Sequence, residues 1–199
     1  MLILASASPR RQQLLRNALI PFSVQPSNAP EEHRPGETPE ACVRRLAREK
    51  ASAVAQHSND DNAILAADTE VVLDLKTGTP LGKPRDADDA ARMLQMLSGG
   101  SHYVITGVCL MWKQGSTWQS HDAAEITTVF MQPISKEEIY TYVATTEPMD
   151  KAGAYAIQGI ASRWISRIEG CYFNVVGLPV PLVYRMLREH APEALGAQQ

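Results

Sequence analysis

A carboxylate, Asp68, directly follows an apolar run that is expected to lie in the protein interior. The apolar residues 63–66 run directly into residues 67–72, which include Asp68, Thr69 and Glu70. The whole stretch predicts a buried strand. A buried charge is unfavourable unless it is paired, bound to a metal ion or used in chemistry. The chain must therefore give Asp68 a cation, a metal or a substrate as its partner, or use it to cap a turn at the strand end.

The spacing of apolar residues predicts strands and helices in irregular alternation. Helix-start signals are Ser8 before Pro9 and Thr38 before Pro39, and residues 135–138 form a capping box. Predicted strands are 2–5, 22–25, 64–75, 102–112, 125–130 and 162–168, with a hairpin near residues 77–78 and a polar connection between the fourth and fifth strands; predicted helices begin at Pro9, Pro39, Asp86, Ser135 and Pro179. Adjacent strands in the middle of the chain favour an α/β fold with a mixed sheet.

Length and charge limit the classes of function. The 199 residues can bury a large core, as one domain or two closely joined lobes. A formal net charge of −3 argues against a protein that binds nucleic acid polymers by bulk electrostatics. A nucleotide remains possible as a substrate, because a small cleft needs only a few cations.

The cysteines and histidines show no local metal-binding pattern. Cys42, Cys109 and Cys171 match no zinc or redox spacing, and the five histidines form no HxH or HExxH motif. We therefore expect reduced thiols and no dedicated zinc site. Neither a signal-peptide core nor an apolar run long enough to span a bilayer is evident, so we expect a cytoplasmic protein without a membrane partner.

The loop between the first strand and the first helix is a candidate anion site. It carries Ser6 and Ser8, and the helix that follows begins with Pro9, Arg10 and Arg11. N–H groups at a helix N-terminus attract anions, and arginines add charge and forked donors. The alternative is a capped helix with two solvated arginines. The loop is not a Walker A motif, because the required glycines are absent.

Two lysines are candidates to meet Asp68. Lys50 lies on the apolar seam of the second helix, where it either extends its charge to solvent or reaches into a site. Lys83 is framed by Gly82 and Pro84, and it either pairs with Asp68, neutralises phosphate or is an exposed turn residue. Asp68 itself either works as a base or metal ligand or caps a turn.

The glycine-containing segment 150–159 carries Gln158. A uracil or thymine ring presents one N–H donor between two carbonyl acceptors, and the donor and acceptor of one Gln amide can match it. The alternative is a surface glutamine in a turn.

The order of these motifs resembles the Maf family of nucleoside-triphosphate pyrophosphatases. The resemblance spans nearly the whole chain, over residues 4–11, 48–51, 67–69, 82–84, 98–99 with His102 and 106–107, 150–155, 157–159 and 174–179. Two small departures are Ala156, where glycine is frequent in the family, and Cys171, where serine is frequent.

The resemblance implies a role for each matched residue. Asp68 is similar to the family's catalytic carboxylate, and Arg10, Thr69 and Gln158 resemble the branch that hydrolyses dTTP and UTP rather than 7-methyl-GTP. The expected phosphate-binding residues are Ser6, Ser8, Arg11, Lys50 and Lys83, and the expected ligands of a divalent cation, Mg²⁺ or Mn²⁺, are Asp68 and Glu32.

The resemblance also implies an inosine-triphosphatase-like fold, with a long mixed sheet and two lobes around a cleft, in a single domain over residues 1–199. We expect hydrolysis of a nucleoside triphosphate to the monophosphate and pyrophosphate, and a homodimer. Two alternatives stay open: a nucleotide-sensing regulatory protein in cell division that shows no significant turnover, and a broader enzyme acting on modified pyrimidine triphosphates.

Overall fold

The computed structural model describes residues 1–58, 62–76 and 78–196. Six strands form one sheet in the order β2-β1-β3-β4-β5-β6; they are β1 (Leu2–Leu4), β2 (Phe22–Val24), β3 (Ala63–Val72), β4 (Ser101–Gln114), β5 (Thr117–Met131) and β6 (Ile165–Glu169). Strand β1 pairs in parallel with β2 and β3, whereas β3–β4, β4–β5 and β5–β6 are antiparallel. The predicted mixed α/β sheet is confirmed.

Five α-helices begin at a predicted start or one residue after it, whereas the helix Tyr172–Val176 was not predicted from the sequence. They are α1 (Pro9–Asn17), α2 (Pro39–Ala55), α3 (Ala87–Leu97), α4 (Lys136–Ala144), α5 (Tyr172–Val176) and α6 (Val180–His190), with short 3-10 helices at Glu147–Asp150, Ala152–Ala154, Ile160–Trp164 and Pro192–Leu195. Ser8, Thr38 and Ser135 each accept a backbone N–H in the first turn of their helix, as N-caps do. Within the described ranges, none of the helices combines the length and apolar character needed to cross a membrane.

Three local predictions were wrong. The polar residues expected to connect β4 and β5 belong to the strands themselves, because backbone pairing continues while one face meets solvent, and only residues 115–116 form the turn. No hairpin follows β3 in the part of the chain described; the Leu81 N–H instead bonds the Val71 carbonyl at 2.7 Å, and Thr77 lies outside the described residues. The last strand starts at Ile165, after a 3-10 turn.

The sheet is covered on both faces, and one face carries two separate cores. Helix α2 covers the first face, where Ala47, Ala51 and Ile64 belong to one core. On the opposite face, Leu65 belongs to a core built with α1 and α6, and Val71 belongs to a second core built with α3 and α4. The two cores are the two predicted lobes, and β3 runs through both.

Asp68 lies where β3 extends past its neighbour. The last paired residues of β1 and β3 are Leu4 and Leu65, three positions before Asp68. Beyond that point β3 continues against β4, with Asp68 opposite Gly107. The loop that follows β1 and the first turn of α1 occupy the space beyond the end of β1, which opens a cleft beside Asp68.

Gly107 sets how closely α2 approaches the sheet. A Cβ atom at this position would lie 2.3 Å from the backbone carbonyl carbon and oxygen of Val43 in α2. The helix backbone therefore rests directly on the strand, on the face to which Asp68 points. No side-chain rearrangement can relieve such a contact, because the opposing atoms are backbone.

We expect Gly107→Ala to destabilise the protein by roughly 1–3 kcal/mol or more, because α2 must move away from β4. The free energy of unfolding in urea measures this. Gly82→Ala is the matched control, since an added Cβ there meets nothing within 4 Å. Equal stability of the two variants would contradict this view of helix placement.

Candidate active site

A cleft of about 440 Å³ opens beside Asp68, within the roughly 300–1,000 Å³ typical of small-molecule sites. Its walls come from the loop after β1, the start of α1, β3 and residues 150–158. Nine of the ten residues predicted from the sequence line it: Ser6, Ser8, Arg10, Arg11, Lys50, Asp68, Thr69, Lys83 and Gln158. The chain therefore brings its scattered motifs to one place.

A buried ion pair lies at the base of the cleft. The Lys50 Nζ atom lies 2.5 Å from Asp68 Oδ1 and also donates a hydrogen bond to Glu31. Lys50 and Asp68 are both buried, whereas Glu31 is more than half exposed. Of the two alternatives for Lys50, the structure places its ammonium in the site.

Glu31 takes the place that was expected of Glu32. The Glu32 side chain is exposed and does not line the cleft; its backbone carbonyl accepts a hydrogen bond from Arg45 at 2.9 Å. Burial raises the pKa of Glu31, but Lys50, and the charges of Lys83 and Arg11, outweigh this and hold the pKa below its usual range. The sequence could not show which of these two adjacent acids lines the cleft, because an irregular loop has no periodicity that fixes which side chain points inward.

Arg11 joins three segments of the cleft wall. Its Nε donates to the Gly177 carbonyl at 2.8 Å, and its Nη1 donates to the Ala67 carbonyl at 2.8 Å and to Ser6 Oγ at 3.2 Å. Its Nη2 donates to Thr69 Oγ1 at 3.1 Å. Burial lowers the pKa of Arg11, partly offset by the nearby carboxylates. Most of this guanidinium is thus engaged with the protein.

The hydroxyl groups of the predicted site are also held in place. Ser8 Oγ caps α1 by accepting the Arg11 backbone N–H, and Ser6 Oγ accepts the Ser8 backbone N–H at 3.3 Å. Thr69 Oγ1 lies 2.9 Å from Thr106 Oγ1, which is fully buried. These contacts fix the loop after β1 and the rotamer of Thr69 before any ligand binds.

The mouth of the cleft carries the more exposed polar groups. Arg10 Nη1 lies 3.5 Å from Asp150 Oδ2, and both side chains are partly exposed. Lys83 and Gln158 are exposed, and within the described ranges the Lys83 ammonium makes no hydrogen bond or close ion pair. The exposed Lys83 and Gln158 side chains can therefore turn toward a ligand, whereas Arg10 must first exchange its contact with Asp150.

One wall of the cleft is held by a histidine for which the sequence predicted no role in the site. Tyr155 lines the cleft, and its hydroxyl lies 2.8 Å from Nε2 of His102, which is fully buried in β4. Burial lowers the pKa of His102 to about 4, so the imidazole is neutral at pH 7. The pair ties the segment 150–158 to the sheet without adding charge.

The fold is shared with a solved structure, the Ham1 protein of Staphylococcus aureus. The two chains align with a TM-score of 0.51 and 13% identity, covering 94% of this chain and 98% of the other. At this identity the likeness concerns the fold alone, and it confirms the predicted fold class.

The sequence comparisons then define the family. The model of the family described as Maf-like protein matches residues 1–190, and the chain belongs to this family. A relative from Koribacter versatilis (strain Ellin345) is 54% identical over 187 residues, which is 94% of this chain and 93% of that protein. Another from Syntrophomonas wolfei is 50% identical over 192 residues, covering 96% and 98%. Both relatives are named dTTP/UTP pyrophosphatase, so the predicted family is confirmed.

We expect Arg11→Lys to destabilise the protein by roughly 1–3 kcal/mol, because a lysine ammonium cannot serve the separate acceptors that the guanidinium fork reaches. Arg10→Lys is the matched control, since its partly exposed ion pair contributes about 1 kcal/mol at most. Urea unfolding of both variants measures the difference. A smaller loss of unfolding free energy for Arg11→Lys than for Arg10→Lys would contradict the role of Arg11 in joining the segments of the cleft wall.

Proposed function

We propose that this protein is a nucleoside triphosphate pyrophosphatase that hydrolyses dTTP and UTP between the α- and β-phosphates, releasing the monophosphate and pyrophosphate. The observation that carries the proposal is the buried pair of Lys50 and Asp68 at the base of a cleft whose mouth presents Arg10, Lys83 and Gln158. A carboxylate for proton transfer, cations for phosphate and an amide for a base thus meet in one site. The names of the relatives support the same substrates.

Asp68 is the catalytic base in this proposal. Lys50 holds one carboxylate oxygen, which fixes the carboxylate plane and balances its charge. The second oxygen then accepts the proton of the attacking water. Because Gly107 lets α2 lie directly on the sheet, this orientation is set by the scaffold and not by the nucleotide.

The proposed phosphate site combines three cations with a helix N-terminus. Lys50, Lys83 and Arg10 neutralise the charge that develops on pyrophosphate. The backbone N–H groups of Ser6 and Ala7 add donors and the dipole of α1 adds positive potential, because the loop and the start of α1 line the cleft. Arg11 adds positive charge from behind, since its own donors are engaged with protein acceptors.

The acidic residues fit a hard divalent cation, Mg²⁺ or Mn²⁺. Asp68 and Glu31 converge on the same ammonium group, so their carboxylate oxygens lie close enough to serve one ion. Glu31 replaces Glu32 in this role, because Glu31 lines the cleft and Glu32 does not. When bound, such an ion supplies charge neutralisation for the triphosphate.

The base is read at the mouth of the cleft. The Gln158 amide matches the donor and acceptor edge of uracil or thymine. Thr69 presents a side chain whose rotamer Arg11 and Thr106 hold fixed, and Arg10 borders the same opening. A fixed polar reader rejects a mismatched base because its own groups are then left unpaired.

We further propose that residues 1–199 form a single domain, that the protein is cytoplasmic and that two copies assemble into a homodimer. Its substrate is a free nucleotide, so neither a nucleic acid polymer nor a membrane is a partner.

A substrate screen tests the proposal. We expect purified protein with Mg²⁺ or Mn²⁺ to release pyrophosphate from dTTP and UTP, and to turn over 7-methyl-GTP far more slowly. Turnover of 7-methyl-GTP with none of dTTP or UTP would contradict the specificity. Tight nucleotide binding without turnover would support a nucleotide-sensing regulator instead. Competition with modified pyrimidine triphosphates measures how broad the substrate range is.

A further inference from the structure

A second group of ligand-type side chains lies behind the cleft, on the face of β3 that α2 covers. His33 comes from the loop before α2, Cys42 from the first turns of α2 and Glu70 from β3. Their ligand atoms lie within 4.8 Å of one another. Cys42 Sγ is 3.4 Å from His33 Nδ1, which is 3.5 Å from Glu70 Oε1.

Glu70 is a buried acid that lacks an adequate partner. The residue is 6% exposed, and neither carboxylate oxygen has a hydrogen-bond partner among the described residues. A buried polar group without partners is strongly unfavourable. His33 Nδ1, 3.5 Å from Oε1, is too distant for a strong hydrogen bond, so an ion bound between the two side chains would give this carboxylate a partner.

The donor spacing fits a tetrahedral metal centre. With metal–sulfur and metal–nitrogen bonds of about 2.3 and 2.0 Å, neighbouring donors in a zinc tetrahedron lie about 3.5 Å apart. The distances from His33 Nδ1 to Cys42 Sγ and to Glu70 Oε1, 3.4 and 3.5 Å, agree with that value, and the separation of sulfur and carboxylate oxygen is at most 4.8 Å. Only small side-chain movements are then needed for an ion to enter between the three groups.

The charges also balance at this place. A Cys42 thiolate and the Glu70 carboxylate together offset the two charges of a divalent ion, and the thiol proton leaves to solvent when the ion binds. Arg45 lies 3.7 Å from the sulfur, but its guanidinium is already paired with Glu37 at 2.6 Å and Glu49 at 3.0 Å. These two carboxylates therefore already neutralise the Arg45 charge before an ion binds.

We propose that His33, Cys42 and Glu70 bind a thiophilic divalent cation of the zinc type, at a site separate from the hard-ion ligands Asp68 and Glu31. The His33 side chain is half exposed, which leaves the fourth coordination position to solvent. His33 and Glu31 are two residues apart on one loop. A bound ion therefore anchors the loop that holds Glu31 against Lys50.

Cobalt titration of the full-length, metal-free protein tests the proposal, because a thiolate bound to Co²⁺ gives a near-ultraviolet charge-transfer band that carboxylates cannot give. With excess Mg²⁺ present to fill hard-ligand sites, we expect the band to saturate at one equivalent of Co²⁺ and to disappear when Zn²⁺ is added. Cys42→Ser should abolish the band, while Cys171→Ser, the matched thiol control, and Asp68→Asn should keep it.

His33→Ala provides a second test that does not depend on a buried substitution. Its half-exposed side chain can be removed without opening the core, and we expect affinity for Co²⁺ to fall on the order of tenfold or more. Absence of the band in the wild-type protein, its persistence in Cys42→Ser, or unchanged affinity in His33→Ala would overturn the proposal.

Discussion

The ion pair between Lys50 and Asp68 is the contact on which the rest of the site depends. Both side chains are buried, and removing two charges from water is unfavourable unless their geometry is well matched. The backbone sets the geometry of this ion pair, because Gly107, which pairs with Asp68, allows α2 to lie directly on the sheet. A pair of this kind contributes little to stability on balance, so a chemical role is the better explanation for keeping it.

Strand β3 places two acids on the same face and gives them different surroundings. Asp68 meets Lys50 at the open cleft, while Glu70, two residues on, is enclosed with His33 and Cys42. The alternation of a strand brings both side chains to the α2 side. The loop before α2 reaches both places, since its Glu31 contacts the Lys50 that pairs with Asp68 and its His33 contacts Glu70. The candidate catalytic centre and the proposed thiophilic site therefore share this loop.

Local signals in the sequence predicted the sheet class, the starts of five α-helices and the convergence of motifs on Asp68. What they could not predict depends on contacts between distant segments. The choice of Glu31 over Glu32 depends on the path of an irregular loop, and the engagement of Arg11 depends on carbonyl groups from β3 and residue 177. The cluster around Glu70 joins positions far apart in the chain, so no spacing rule for metal motifs could reveal it.

The most direct measurement compares Asp68→Asn with the wild-type protein for both dTTP binding and pyrophosphate release. Asparagine keeps the shape of the side chain and an acceptor for Lys50, but it cannot act as the base. We expect the dissociation constant for dTTP to stay within several-fold while the turnover rate falls by roughly 10²–10⁴. Glu32→Gln, outside the cleft, should leave both unchanged. Near-normal turnover by Asp68→Asn would contradict the account.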